Sequence, residues 1–344
     1  MIHFLCVAAL TSPTISAPAS PPVRSQVTAP VKRVAIMIFP GVQIIDYTGP
    51  YEVFGQAGFD VYTVAANPGM LTTNMGMRVT PNFTFANCPK PDIIVLPGGN
   101  VPDQAKSDDV QVAWIKQMAG TAPSIMSVCN GAFWLANAHL LDGKVATTFY
   151  GALVRLQTKF PKIHVDGSKR FADNGQIMCT AGLSSGIDGA LRVVAKIKGL
   201  GFAKNVALGM EYNWQPDSSF ARGSFADKYV VRLPGQHIDL PTTAVAEVVQ
   251  VTDNRDVYDK SWRVTNSNVS ISAMMERISE QFATQWTRTR SVAGKLNGEV
   301  SSDWQFKGDD GRSWTCRLSM RPDKDEKYAQ LLSIHIQHKS SKIG

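Results

Sequence analysis

The stretch Ala122-Pro-Ser-Ile-Met-Ser-Val-Cys129-Asn130-Gly131-Ala132-Phe-Trp-Leu-Ala136 decides the fold of this chain, because it joins a strand pattern to a helix pattern at one cysteine. Residues 125–128 are a short apolar run typical of a buried strand, and residues 132–138 are rich in helix formers. Gly131 permits a tight turn between them. A side chain at such a corner, a nucleophile elbow, points out of the fold near the positive end of a helix, which favours a thiolate. Cys129 is therefore the candidate nucleophile, and the alternative is a buried structural thiol.

Strand and helix patterns alternate on both sides of this turn. Continuous apolar runs predict strands that are covered on both faces, whereas apolar residues at helical spacing predict the helices between them. The expected strands are residues 34–39, 59–65, 92–96, 124–128, 144–147 and 176–180, and the expected helices are residues 50–56, 110–118, 132–138 and 186–198. We therefore predict an α/β fold with a flavodoxin-like, mostly parallel sheet sandwiched by helices, and a ligand site at the carboxyl ends of its strands.

The alternation ends near Phe225, which indicates a second domain. The chain of 344 residues is long enough for two. Residues 229–249 form a strand-like stretch punctuated by proline, and an amphipathic helix, a hairpin around residues 308–311 and a last strand follow. We predict a first domain at residues 31–222 and a smaller α+β domain of unknown role at residues 225–344.

Residues 1–30 are expected to be a leader or a disordered tail. Residues 1–10 are apolar, and a stretch rich in Ser, Thr, Pro and Ala follows, with a small-residue cleavage pattern at residues 17–19. This pattern favours a signal peptide and a secreted or periplasmic protein, and the alternative is a cytoplasmic protein with a disordered tail. No later stretch approaches the length of a membrane span, so we expect no membrane insertion of the mature chain.

Charge and cysteine content exclude two classes of function. The net charge is +7, but the basic residues are dispersed and form no stripe for a phosphate backbone, so we expect no nucleic-acid partner. The five cysteines show no CxxC spacing, and we expect no metal site. A Cys88–Cys179 disulfide is compatible with export. A homodimer is the one macromolecular assembly that we predict, with the second domain as its candidate interface.

Three segments end strands on one edge of the predicted sheet and carry the candidate chemistry. They contain Asp46, the pair Gly98 and Gly99, and Cys129 with Asn130. The backbone N–H groups of the two glycines and of Asn130 could bind a developing negative charge. A carboxyl group beside a thiolate tends to keep its proton, so Asp46 could act as a general acid and base.

Each candidate has a structural alternative. Asp46 could be a turn or helix-start residue, Gly98 and Gly99 could be ordinary turn glycines, and Glu52 is the rival carboxylate. Glu52 and Gly131 are therefore secondary candidates.

The chain resembles the ThiJ/PfpI superfamily of the class I glutamine amidotransferase-like fold, and within it the isonitrile hydratase-like branch. Five motifs in the family's order carry the resemblance: residues 39–54, 96–99, 127–132, 140–148 and 181–188. The resemblance implies that Cys129 is the nucleophile and Asp46 its acidic partner, and that the reaction adds water to an isonitrile carbon and gives an N-substituted formamide. It implies a small-molecule substrate and no cofactor.

Two positions depart from the family's pattern. Asn130 replaces the threonine that commonly follows the cysteine, and Phe149 and Tyr150 follow the paired threonines where a histidine is common. An imidazole can deprotonate a thiol, so its loss removes one route to activation. The sequence thus predicts a cysteine-dependent hydratase or hydrolase of a small electrophile. The alternative is a ligand-binding or redox-sensing protein without turnover.

Overall fold

A computed structural model describes residues 32–218, 220–231, 240, 243–292, 298–326 and 328–338. The expected leader, residues 1–30, lies outside these ranges, and so does Cys6. Secretion and the two domain boundaries stay predictions. Within the described ranges, no helix is both long enough and apolar enough to cross a membrane.

The first part of the chain alternates strands and helices, as the sequence predicts. In chain order its elements are β1 (Arg33–Met37), α1 (Ile44–Gln56), β2 (Asp60–Ala65), β3 (Leu71–Thr72), β4 (Arg78–Val79), β5 (Phe83–Thr84), β6 (Ile93–Leu96), α2 (Val110–Ala119), β7 (Ser124–Ser127), α3 (Ala132–Asn137), β8 (Val145–Ala146), α4 (Leu153–Lys159), β9 (His164–Val165), β10 (Phe171–Asp173), β11 (Ile177–Thr180), α5 (Ser185–Lys198) and α6 (Leu200–Gly209). Short 3₁₀ helices cover Cys129–Gly131, Tyr150–Ala152 and Arg222–Ser224.

Seven of these strands form one sheet in the order β10-β11-β7-β6-β1-β2-β5. Every neighbouring pair is parallel except β10 with β11, which confirms the mostly parallel α/β fold. All four residues of β6 are buried, as expected for a central strand covered on both faces. Helix α1 packs on β1 and β2, and α5 packs on β7 and β11.

The sheet brings the carboxyl ends of β6 and β7 together. In their parallel register Leu96 is the partner of Ser127, so the turn after β6 lies beside the turn that holds Cys129. Helix α1 begins six residues before the expected start at Pro50, and Asp46 therefore lies in its first turn. The helix continues through Pro50, because its buried face packs closely on α5: a Cβ on Gly49 would lie 3.0 Å from Ile187.

The C-terminal domain has its own hydrophobic core around a six-stranded antiparallel sheet. Its elements are α7 (Lys228–Val231), β12 (Val245–Asp253), β13 (Val257–Thr265), α8 (Ile271–Ala283), β14 (Thr287–Val292), β15 (Val300–Lys307), β16 (Ser313–Pro322) and β17 (Gln330–His338). The strand order is β12-β13-β17-β16-β15-β14, and α8 packs on β15 and β16. The expected strand-like character of residues 229–249 is wrong at its start, where α7 is helical. Residues 232–239 and 241–242 lie outside the described ranges.

Candidate active site

Cys129 occupies the strained corner of the turn between β7 and α3. Val128 is extended, whereas Cys129 has a φ of 59°, in the left-handed region that non-glycine residues seldom adopt. The turn is fixed by the Cys129 N–H, which donates to the Ala181 carbonyl at 3.0 Å. Gly131, expected to permit a tight turn, has a helical φ of −57°, and its lack of a side chain permits close packing. A Cβ there would overlap the Leu96 carbonyl oxygen.

Asp46 projects from the first turn of α1 toward Cys129 and is fully buried. Its Oδ2 accepts a hydrogen bond from the Gly98 N–H at 3.1 Å. Its Oδ1 is buried without a hydrogen bond of normal length, although the Cys129 side chain and the Leu183 N–H lie close enough to lower the pKa. Burial outweighs these contacts and raises the pKa of Asp46 from 3.8 to about 7. The structure thus brings the expected carboxyl group and thiol together.

The prediction that the Cys129 side chain is a thiolate is wrong. The side chain is only 7% exposed, and burial raises the pKa of the thiol from 9.0 to about 12, with the nearby Asp46 charge as the second cause. The Asn130 and Leu183 N–H groups point at the sulfur and act in the opposite direction. The helix-end field on which the expectation rested is too weak to offset this loss of hydration. In the protein without substrate, the side chain of Cys129 is therefore a thiol.

Two of the three expected backbone donors are already occupied. The Gly98 N–H donates to Asp46, and the Gly99 N–H donates to Asn130 Oδ1 at 2.8 Å. Asn130 Nδ2 donates back to the Gly99 carbonyl at 2.8 Å. The expectation that Gly98 and Gly99 bind a developing negative charge is therefore not met. The Asn130 N–H, the third expected donor, does face the Cys129 sulfur.

Leu183 is a site residue that the sequence analysis missed. Its φ is 54°, and its N–H lies close to both Asp46 and Cys129. It lies in a matched motif, residues 181–188, but its apolar side chain gives no chemical signal. Its contribution is a backbone donor held by an unusual turn.

A cavity of about 370 Å³ opens beside Cys129. Its polar wall includes Gln43 and Asn74, and its apolar wall includes Phe149. The described lining contains no histidine; its residues are Gln43, Asn74, Gly99, Cys129, Asn130, Phe149, Gly151, Ala152, Arg155 and Leu183. The volume fits a small molecule.

The rival carboxylate, Glu52, is not brought to this site. It is exposed on α1, and its Oε1 accepts a hydrogen bond from Gln56 Nε2 at 2.9 Å. Cys88 and Cys179 are both free, so the disulfide compatible with export is not formed. Over the described ranges, no cluster of three His, Cys, Asp or Glu side chains has a metal-binding arrangement.

Comparisons with known proteins show which proteins this chain is similar to. The DJ-1/PfpI family profile matches residues 32–196. Isonitrile hydratase from Pseudomonas putida is 32% identical over 193 residues, which cover 56% of this chain and 82% of that protein. Deglycase PfpI from Pyrococcus furiosus is 28% identical over 104 residues, covering 30% of this chain and 63% of that protein. A crystal structure of a ThiJ/PfpI family protein from Pseudomonas syringae aligns with a TM-score of 0.50 at 27% identity, covering 60% of this chain and 85% of that one.

Proposed function

This chain belongs to the DJ-1/PfpI family, and we propose that it is a cysteine-dependent hydratase or hydrolase of a small electrophile. Most specifically, we propose that it adds water to an isonitrile and releases an N-substituted formamide. The observation that carries this proposal is the buried contact between Asp46 and Cys129 beside an open cavity. The similarity to an isonitrile hydratase supports the choice of substrate class.

The protonation states of the pair suit proton transfer during the reaction. With a pKa of about 7, Asp46 exists in both forms near neutral pH, which is the range in which a general acid and base works best. Cys129 stays a thiol until a substrate arrives. The Asn130 and Leu183 N–H groups then stabilise charge that develops on the sulfur. The Cys129 turn acts as a nucleophile elbow that needs no thiolate in advance.

The reaction balances with water as the only co-reactant. Ionised Asp46 takes the thiol proton and passes it to the terminal isonitrile carbon, while the sulfur bonds to the same carbon and gives a thioimidate. Water then adds across the C=N bond, with its proton passing through Asp46 to the nitrogen. The C–S bond breaks as the hydroxyl becomes a carbonyl, and its proton returns to the sulfur. The product is the formamide, and the thiol is regenerated.

The test follows formamide formation from a series of alkyl isonitriles. We expect Cys129→Ser to abolish turnover and Asp46→Asn to lower kcat by about 10²- to 10⁴-fold, the usual contribution of general acid–base catalysis. Glu52→Gln is the matched control, since it removes an exposed carboxylate from the same helix and should leave the rate unchanged. Formamide formation no faster than with Cys129→Ser, for every isonitrile tried, would refute the isonitrile assignment.

Redox sensing at Cys129 is the alternative, suggested by the lack of a histidine in the described lining of the cavity. Peroxide reacts with thiolates, and the burial that raises the pKa of Cys129 disfavours this role. Mass spectrometry after mild peroxide treatment separates the two functions. Preferential oxidation of Cys129 over the half-buried Cys88 would favour sensing.

A further inference from the structure

Arg222 joins the C-terminal domain to the wall of the cavity beside Cys129. It lies in the short 3₁₀ helix before α7. Two guanidinium nitrogens donate to the two carboxylate oxygens of Asp227, and Nη1 lies 2.9 Å from Oδ2 of Asp253, the last residue of β12. Asp227 and the Asp253 side chain are nearly inaccessible to solvent. A bidentate pair of this kind fixes the plane of the guanidinium as well as its position.

The guanidinium also lies over an aromatic ring of the first domain. Its central carbon is 4.6 Å from the ring centroid of Tyr150, a distance at which a cation–π interaction is favourable. The Tyr150 ring in turn contacts the ring of Phe149, with 4.5 Å between centroids. The contacts therefore run from two carboxylates of the C-terminal domain, through Arg222 and Tyr150, to Phe149.

Phe149 is the end of this chain of contacts, and it forms the apolar wall of the cavity. Its ring lies over two glycines. A Cβ on Gly182 would overlap the ring, and one on Gly151 would lie 2.9 Å from it. The preceding residue, Thr148, donates its hydroxyl to the Cys129 carbonyl at 2.8 Å. The two glycines and the Tyr150 ring therefore pack closely against Phe149 and leave its ring little room to move.

We propose that Arg222 is a positioning residue that holds the Tyr150–Phe149 pair against the cavity, so that the C-terminal domain limits the site to electrophiles with compact substituents. This inference rests on the proposed function only for the identity of the electrophile. The size limit can be tested without a substrate, by measuring how fast compact and bulky reagents alkylate the Cys129 sulfur. The C-terminal domain thereby becomes the element that sets substrate size.

The first experiment measures Cys129 alkylation by iodoacetamide and by the bulkier N-phenylmaleimide in the full chain, with peptide mass spectrometry to separate Cys129 from Cys88. Arg222→Lys keeps the charge but loses the planar bidentate pair, and Tyr150→Leu removes the ring. For both variants we expect the bulky-to-compact rate ratio to rise roughly tenfold, the scale on which a pocket wall discriminates small differences in substrate size. Tyr150→Phe keeps the ring and should behave as wild type.

Arg312→Lys is the second control. Arg312 also pairs with two carboxylates, Asp310 and Asp256, and its central carbon lies 5.1 Å from the Trp314 ring centroid, within the C-terminal domain. If Arg222→Lys does not fold, Tyr150→Leu decides, because Tyr150 is 38% exposed and tolerates substitution better. A bulky-to-compact ratio unchanged in the folded variants, or raised equally by Arg312→Lys, would overturn the proposal.

Isonitriles supply the second readout and separate the two proposals. We expect KM for a bulky isonitrile to fall in Tyr150→Leu while kcat for a compact one stays at the wild-type value. If no isonitrile is hydrated but the bulky-to-compact alkylation ratio rises in the variants, the proposed isonitrile hydration is wrong and the proposed size limit is supported. If the ratio of hydration rates for bulky and compact isonitriles is the same in wild type and variants, the proposed size limit is wrong and the proposed isonitrile hydration is supported.

Discussion

The carboxyl group of Asp46 and the thiol of Cys129 lie in one buried contact in which the carboxylate makes the thiol harder to ionise, whereas the thiol lowers the pKa of the carboxyl group. Burial raises the pKa of both groups, and the Asp46 charge further raises the pKa of Cys129. A preformed thiolate beside an ionised carboxylate would place two negative charges in one dry site. In the proposed reaction, the proton therefore leaves the sulfur only as the sulfur bonds to the substrate.

The buried carboxyl group of Asp46 makes stability depend on pH. Its pKa is about 7 in the folded protein and 3.8 as the ordinary value, so the folded state binds the proton more tightly between these limits. The free energy of unfolding therefore falls as pH rises through this window, by about 4 kcal/mol at about 1.36 kcal/mol for each pH unit. Asp46→Asn removes this dependence, and we expect it to be more stable than wild type at pH 8.

Urea unfolding of wild type and Asp46→Asn at pH 5 and pH 8 measures the difference. The comparison isolates Asp46, because Asp253, whose pKa is also raised to about 7, is present in both proteins. An Asp46→Asn protein that loses stability at pH 8 relative to wild type would mean that the carboxylate is stabilised by its surroundings.

Gly98 is predicted to tolerate no side chain. A Cβ there would overlap Asn130 Oδ1 and lie 2.9 Å from Asp46 Oδ2, so Gly98→Ala pushes apart the groups that face Cys129. We expect a loss of about 1–3 kcal/mol in stability, typical of overpacking, and loss of turnover. Gly55→Ala in α1 is the control, because nothing lies within 4 Å of its Cβ. It should stabilise the protein by about 0.5–1 kcal/mol as a helix substitution. Equal stability losses in both variants would contradict the packing argument.

Phe149→His is predicted to place an imidazole in the cavity beside Cys129. Phe149 lines the cavity with Cys129, and an imidazolium at that position lowers the pKa of a nearby thiol. We expect alkylation of Cys129 at pH 7 to become about tenfold faster, which corresponds to about one unit of thiol pKa. Phe149→Leu makes the apolar wall smaller without adding a base. The pH dependence of Cys129 alkylation in this variant should therefore keep the wild-type midpoint. A shifted midpoint in Phe149→Leu would show that access, and not charge, controls the rate.

The sequence predicts the sheet and the meeting of Asp46 with Cys129 because both follow from simple rules. Buried parallel strands are continuous apolar runs, and their carboxyl ends meet at one edge. The strands around residues 34–39, 92–96 and 124–128 agree with β1, β6 and β7 to within two residues.

The rest of the site could not be predicted, because it depends on partners that are distant in sequence. The sequence near Gly99 gives no sign that its N–H donates to the side chain of Asn130. Leu183 contributes a backbone N–H, which any residue except proline has. The direction of the Cys129 pKa shift depends on how much protein covers the sulfur, and α1 extends through Pro50 because packing on α5 overrides a local preference.

The pH dependence of Cys129 alkylation by iodoacetamide, in wild type and in Asp46→Asn, tests the central claim most directly. We predict a midpoint well above the value of about 8.5 for free cysteine in wild type. In Asp46→Asn the midpoint should be lower but still above that value, because burial remains when the charge is gone. A wild-type midpoint below that of free cysteine, or one that rises in Asp46→Asn, would contradict the account.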